Sequence, residues 1–167
     1  MTDAPIFLAC ESFGTPLPVL TSPPRRILVV EGDADIRCLN TEVLIAHGYH
    51  VDAAEDGAVA WQALRTGSYN LLITDHDLPK VTGIELLKAL HGARMAMPVI
   101  MAAGNLPKWE FTRHPWIKPA ATLLKPYSIT ELLGTVKAVL LATGSSSGQI
   151  ALPLTWQSRP SADRLRP

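Results

Sequence analysis

The chain has 167 residues, 47% of them hydrophobic, which suffices for one domain with a substantial core. Lysine plus arginine equal aspartate plus glutamate at 15 each, so no field of one sign selects nucleic acid or an anionic membrane surface. Cys10 and Cys38 have neither metal-ligand spacing nor the density of a disulfide framework, which points to a reducing compartment.

In chain order, residues 1–24 hold Pro5, Pro16, Pro18, Pro23 and Pro24 without sustained periodicity and read as an extended arm. The apolar stretch IFLAC within it is too short for a signal-peptide core and lacks a basic flank. Nothing approaches the ~20 apolar residues of a membrane span, and a cytoplasmic location is expected. RILVV (26–30) is the first predicted strand. Ile36, Leu39, Val43 and Ala46 then form a helical stripe that stops at Gly48, with Cys38 expected among its core residues. YHVDAA (49–54) is a weaker second strand, and Val59, Ala60, Ala63 and Leu64 mark a helix ending near Gly67. NLLIT (70–74) is the most apolar strand. Ile84, Leu87 and Leu90 carry the next helix, which Gly92 ends. PVIMAA (98–103) and ATLLK (121–125) complete five strands.

Between the last two strands, Pro107, Pro115 and Pro119 confine any helix to a turn or two around Lys108 to His114. Trp109, Phe111 and Trp116 cluster there, either closing the core or serving as interface anchors. The closing helix opens with a capping box, Ser128-Ile-Thr-Glu131. TGSSSG then has linker composition, and the tail carries Arg159, Arg164 and Arg166. The expected organisation is an arm over 1–24, a folded domain over 25–142 and a linker with a basic tail over 143–167.

Strict alternation of strand and helix predicts an α/β fold with a parallel sheet, right-handed crossovers and helices on both faces. In such sheets ligands bind at the carboxyl ends of the strands. The polar residues expected there are Glu31 and Asp33 after the first strand, Asp75 and Asp77 after the third, and Lys125 at the end of the fifth. Asp33 also reads as the cap of the first helix, and His76 as facing solvent. An acidic cluster repels itself unless a cation is bound, and oxygen ligands suit Mg²⁺. A carboxylate beside Mg²⁺ and a lysine is arranged to attack a phosphoryl group, which makes Asp75 the natural nucleophile.

Three stretches carry a resemblance. ILVVEGDADIR, LLITDHDLPKVTGIELL and LLKPY, in this order and spacing, resemble the motifs of response-regulator receiver domains of bacterial two-component signalling, over Arg25 to Leu141. The resemblance implies a flavodoxin-like five-stranded sheet in the order 2-1-3-4-5. It implies Asp75 as phosphoacceptor, Lys125 as the phosphoryl contact, and Glu31, Asp75 and the backbone carbonyl of Asp77 as holders of Mg²⁺. It implies a histidine kinase or phosphotransfer protein and a downstream protein as partners. From charge and apolarity neither nucleic acid nor membrane is expected, and a second copy of the chain is a further candidate partner.

Three positions depart from the family pattern. The second acidic position is Gly32, the switch hydroxyl is Ala103 and the switch aromatic is Thr122. Mg²⁺ binding is therefore expected to be weak, with phosphorylation or switching impaired, and the chain to be a signalling module and not an enzyme. The alternative is an ordinary Mg²⁺-dependent phosphoacceptor. ITDHDLP also resembles the first motif of haloacid-dehalogenase-type phosphatases. That chemistry needs a later acidic pair, and after Gly83 the acids Glu85, Glu110, Glu131 and Asp163 are all isolated from one another.

Overall fold

The computed structural model describes residues 23–144. Apart from Pro23, Pro24, Thr143 and Gly144, the expected arm and tail lie outside the described residues, as does Cys10. Strands β1 (Arg26–Val30), β2 (His50–Ala54), β3 (Leu71–Asp75), β4 (Val99–Ala103) and β5 (Ala121–Leu124) form one sheet in the order β2-β1-β3-β4-β5. Every pairing is parallel. Helices α1 (Ala34–Ala46), α2 (Gly57–Thr66), α3 (Gly83–Gly92), α4 (Lys108–Arg113) and α5 (Ile129–Gly144) connect and close it. The predicted elements are all present, with strand ends displaced by about one residue, and α5 runs two residues past the expected boundary at 142.

The strand period of two sorts the core into halves. Leu28, Val30, Leu72 and Met101 pack against Ala60 and Leu64 of α2 and Ile84, Leu87 and Leu90 of α3. Ile27, Val29, Leu71, Ile73, Ile100, Ala102 and Leu123 pack on the other face against Leu44 of α1 and Leu132, Val136, Val139 and Leu140 of α5. Continued to the strand ends, the same alternation carries Glu31, Asp75 and Lys125 onto the α1/α5 side. β1, β3 and β4 are almost wholly buried, which is why they read as continuous apolar runs.

Local chemistry sets the helix ends. The Asp33 carboxylate accepts the Asp35 and Ile36 N–H groups at 2.9 and 3.0 Å, confirming it as the cap of α1. Gly48, with φ +86°, ends that helix in a conformation that favours glycine. Thr82 with Glu85, and Ser128 with Glu131, form reciprocal capping boxes on α3 and α5. α4 has no side-chain cap and buries no residue, as expected of a segment bounded by prolines.

Two expectations for side chains fail. The residues that α1 buries are Asn40 and Leu44, while Leu39 is 50% exposed, so the buried face is rotated away from the apolar stripe. Cys38 accordingly faces out, where a hydrogen bond to Glu42 at 3.5 Å raises its thiol pKa. His76, expected to face solvent, does so only in part: its side chain is 22% exposed, while its Nδ1 is buried and has no hydrogen-bond partner among the described residues.

Candidate functional site

Three strand ends meet at one point. Lys125 Nζ donates to Glu31 Oε2 at 2.6 Å and to Asp75 Oδ2 at 2.7 Å, drawing together residues 94 and 50 positions away in sequence. Both carboxylates are buried, and the lysine side chain is 21% exposed. Burial alone would lower the Lys125 pKa, but the hydrogen bonds and negative charges of Asp75 and Glu31 outweigh it and raise the pKa above the ordinary lysine value. Two carboxylates and one ammonium leave the cluster with a formal charge of about −1, which favours a further cation.

The remaining oxygens are held by the backbone. Glu31 Oε1 accepts the Asp33 N–H at 3.1 Å, and Asp75 Oδ1 accepts the Asp77 N–H at 3.3 Å. Arg37 reaches back from α1, its Nη1 donating to the carbonyls of Glu31 and Gly32 at 2.7 and 3.2 Å. The Asp77 side chain is largely exposed, away from the lysine bridge. At Gly32 a Cβ would have Pro79 Cδ as its nearest neighbour at 3.5 Å, an ordinary contact, so the position is open to a larger residue. Gly83 has no such freedom, because a Cβ there would collide with the Asp75 carbonyl. α3 thus starts directly against the end of β3.

The two other sequence-singled positions lie further along the sheet. Ala103 is buried at the end of β4, and its carbonyl accepts the Lys125 N–H at 2.9 Å. Thr122 is exposed on β5. It lines a shallow groove of about 400 Å³ with Phe111, Pro115, Ile117, Lys118 and Pro119. Trp109 is 62% and Trp116 48% exposed, so these two rings do not close the core, whereas Phe111 packs partly against it. Trp116 lies 4.6 Å from the His91 ring and 5.6 Å from the His114 ring.

Sequence reading passed over four residues that shape the site. Asp56, buried, caps α2 and also receives Lys80 from the loop after β3; the partnership lowers the Asp56 pKa and raises that of Lys80. Lys80 sits at φ 66°, unusual for a non-glycine residue. Asn40 Nδ2 donates to Tyr127 Oη at 3.0 Å, joining α1 to the loop that carries Lys125. The available signal was positional: Asn40 stands midway between Ile36 and Leu44 at the four-residue spacing of one helix face.

The fit to a metal follows from this donor set. Among the described residues no three His, Cys, Asp or Glu side chains are grouped to hold an ion. Two buried carboxylates of net negative charge suit Mg²⁺, which typically keeps several waters and takes one or two carboxylates. Glu31 and Asp75 therefore fit that ion, with one acidic ligand fewer than a carboxylate at Gly32 would supply. Among the described residues no helix is long and apolar enough to cross a membrane.

Comparison with known proteins bears directly on this geometry. The family model described as the response regulator receiver domain matches residues 27–137. The alkaline phosphatase synthesis transcriptional regulatory protein SphR of Synechococcus elongatus is 31% identical over 94% of this chain and 64% of its own. The response regulator receiver protein CpdR of Brucella abortus is 28% identical over 71% of this chain and 98% of its own. The chain spans about half to two-thirds of the length of the curated transcriptional regulators it matches, such as SphR and PhoP of Bacillus subtilis. A CheY-like receiver domain protein of Methanospirillum hungatei superposes with a TM-score of 0.69 at 27% identity, over 74% of this chain and 98% of that one. TrrA of Thermotoga maritima, solved in complex with Mg²⁺ and BeF, superposes with a TM-score of 0.61 at 28% identity, over 69% and 98%.

Proposed function

Because the chain belongs to the response regulator receiver domain family of two-component signalling, we propose that Asp75 is its phosphoacceptor and that the module signals by protein contact, with impaired phosphorylation and switching. The observation that carries this reading is the pair of short hydrogen bonds from Lys125 to Asp75 and Glu31. In the proposed step an Asp75 carboxylate oxygen attacks phosphorus in a phosphohistidine of the kinase or phosphotransfer protein. A P–O bond forms, the P–N bond breaks, and its electron pair returns to the imidazole. Lys125 neutralises charge on the phosphoryl oxygens, the largest need of phosphoryl transfer.

Glu31, Asp75 and the backbone carbonyl of Asp77 would hold Mg²⁺. The ion would supply further charge neutralisation on the same oxygens. With Gly32 in place of a second carboxylate that contribution is reduced, and Lys125 divides its ammonium between two acids. The loss of one ligand and of a hydroxyl at Ala103 removes two contacts, each worth about 2 to 4 kcal/mol by analogy with oxyanion donors.

Signal output is reduced for a related reason. A ligand shifts an equilibrium only as far as it distinguishes the two states, and neither Ala103 nor Thr122 can register the phosphoryl group by hydroxyl contact or ring rotation. The surface bearing Trp109, Phe111 and Trp116 then serves as a constitutive contact for a downstream protein. The receiver domain takes in residues up to 144 and not 142, because α5 continues to Gly144.

Incubation with Mg²⁺ and a small acyl phosphate, followed by intact-mass measurement, tests the reading. The expected result is slow, substoichiometric gain of one phosphoryl group, absent from Asp75→Ala. Fast stoichiometric gain would favour the ordinary phosphoacceptor, and equal gain by both proteins would remove Asp75 from the role.

A further inference from the structure

Asn40 is a primary amide on the buried face of α1, 5% exposed. Burying such a group costs free energy unless it is hydrogen-bonded. Its partner is Tyr127 Oη at 3.0 Å, 87 residues away, in the loop between β5 and α5. Tyr127 is two residues beyond Lys125, and burial raises its phenol pKa.

The same loop is loosely packed on its outer side. A groove of about 430 Å³ opens there, lined by Ile36, Leu39 and Asn40 of α1, the loop residues Lys125 to Tyr127, and Ile129 and Leu132 of α5. Leu39 and Ile129 are about half exposed. Tyr127 packs partly against the α1/α5 half of the core, but apolar contact does not wedge the loop from the groove side, and the aim of Lys125 is left to directional contacts. At its entry the Lys125 N–H is bound to the Ala103 carbonyl at 2.9 Å. At its exit Tyr127 is bound to Asn40. Lys125 projects from between these two tethers into the acids.

We infer that Asn40 and Tyr127 are a positioning pair. Their hydrogen bond fixes the β5–α5 loop against α1 so that the Lys125 ammonium reaches Glu31 and Asp75 together. The inference rests on the phosphoacceptor reading for its chemical consequence alone, since the geometry of the lysine is measurable without any phosphoryl donor. It assigns to α1, through one buried amide, control over the charge at the candidate site.

Three variants separate positioning from stability: Tyr127→Phe, Asn40→Leu, and the two combined. Each single variant strands one polar group and is expected to unfold at lower urea concentration. The double variant replaces both partners with apolar groups and is expected to regain most of the loss, as matched replacements do. In the double variant Lys125 is nevertheless released. In a crystal structure of the double variant its Nζ should leave hydrogen-bond distance of Glu31, Asp75 or both, and reaction with an acyl phosphate should slow by roughly tenfold or more, since ~1 Å of misplacement can cost about 10²-fold.

A double variant of wild-type stability whose Lys125 Nζ still bonds both Glu31 and Asp75, and which reacts at the same rate, would show that the pair is core packing and would overturn the inference. Should no form react, the phosphoacceptor reading fails. The Lys125 geometry then decides alone, a broken contact to either acid upholding the positioning pair and two intact contacts overturning it.

Discussion

Replacing Gly32 by aspartate should lower stability without Mg²⁺ and make stability far more responsive to it. The substitution fits sterically: the nearest atoms to a new Cβ are Pro79 Cδ at 3.5 Å and the Glu55 carbonyl at 3.9 Å, and the glycine is not in a left-handed conformation. Electrostatically it adds a third carboxylate to Glu31 and Asp75, which already share one ammonium. At separations of ~5 to 6 Å and an effective dielectric constant of ~20, each like-charge pair costs about 3 kcal/mol, and attraction to Lys125 returns about as much as one pair costs. Solvent access and the Arg37 guanidinium reduce the remainder, leaving a loss of about 1 to 3 kcal/mol without metal.

Mg²⁺ reverses the balance. A carboxylate in place of a water should tighten binding at least tenfold, about 1.4 kcal/mol. At a free Mg²⁺ concentration of ~100 times Kd, linkage adds about 2.7 kcal/mol to the stability of the folded protein. Thermal melts followed by circular dichroism should therefore place Gly32→Asp below the wild type in EDTA, and narrow or invert the gap in millimolar Mg²⁺, by a few degrees per kcal/mol. A variant equal to the wild type in EDTA and indifferent to Mg²⁺ would refute the placement of position 32 beside the acids.

Gly83→Ala forces a methyl group against the Asp75 carbonyl. It should cost about 1 to 3 kcal/mol in urea unfolding, as overpacking does; a loss under ~0.5 kcal/mol would mean that α3 moves away freely. Lys125→Met leaves two buried carboxylates without their cation. It should destabilise by about 2 to 3 kcal/mol at neutral pH, below the usual range for breaking a buried pair because the lysine is partly exposed. The Lys125 pKa is raised in the folded state, so its contribution is complete below the ordinary lysine value and disappears as pH rises through the folded value. The gap between wild type and Lys125→Met, measured by urea titration from pH 7 upward, should thus shrink at alkaline pH, and a constant gap would contradict that origin. Partner affinity at the face carrying Trp109 and Trp116 should survive both Asp75→Ala and binding of a phosphoryl mimic. A change of tenfold or more, about 1.4 kcal/mol, would show that phosphorylation is transmitted by another route.

What was legible in the sequence was governed by local rules. Strand and helix alternation, the three caps at Asp33, Thr82 and Ser128, and the proline-shortened α4 all depend on spacing or on single residues acting within one turn. Of these, the Thr82 box was visible in principle but passed unread. The meeting of Glu31, Asp75 and Lys125 was foreseeable because parallel strands share one carboxyl edge. The failures involve tertiary context. Apolarity alone placed the buried face of α1 on Leu39 and Val43 and drew Cys38 inward, whereas the packed helix turns Asn40 inward because Tyr127 offers its amide a partner. Pairings such as Asn40 with Tyr127 or Asp56 with Lys80 have no local signature, since each half looks like an ordinary surface residue until the fold brings the other half to it. His76, expected in solvent, is partly covered because it follows the end of a fully buried strand.

The shortness of α4 bears on the timescale at which the molecule opens. A six-residue helix with no buried side chain and no side-chain cap contributes little to the global barrier. Its amides should exchange with solvent deuterium through local opening, long before those of β1 and β3, whose exchange reports unfolding of the whole domain. That gradient makes the region around Trp109 the inexpensive place to reshape the protein. A partner can remodel it at a fraction of the global stability, while the strands that hold Glu31 and Asp75 remain closed.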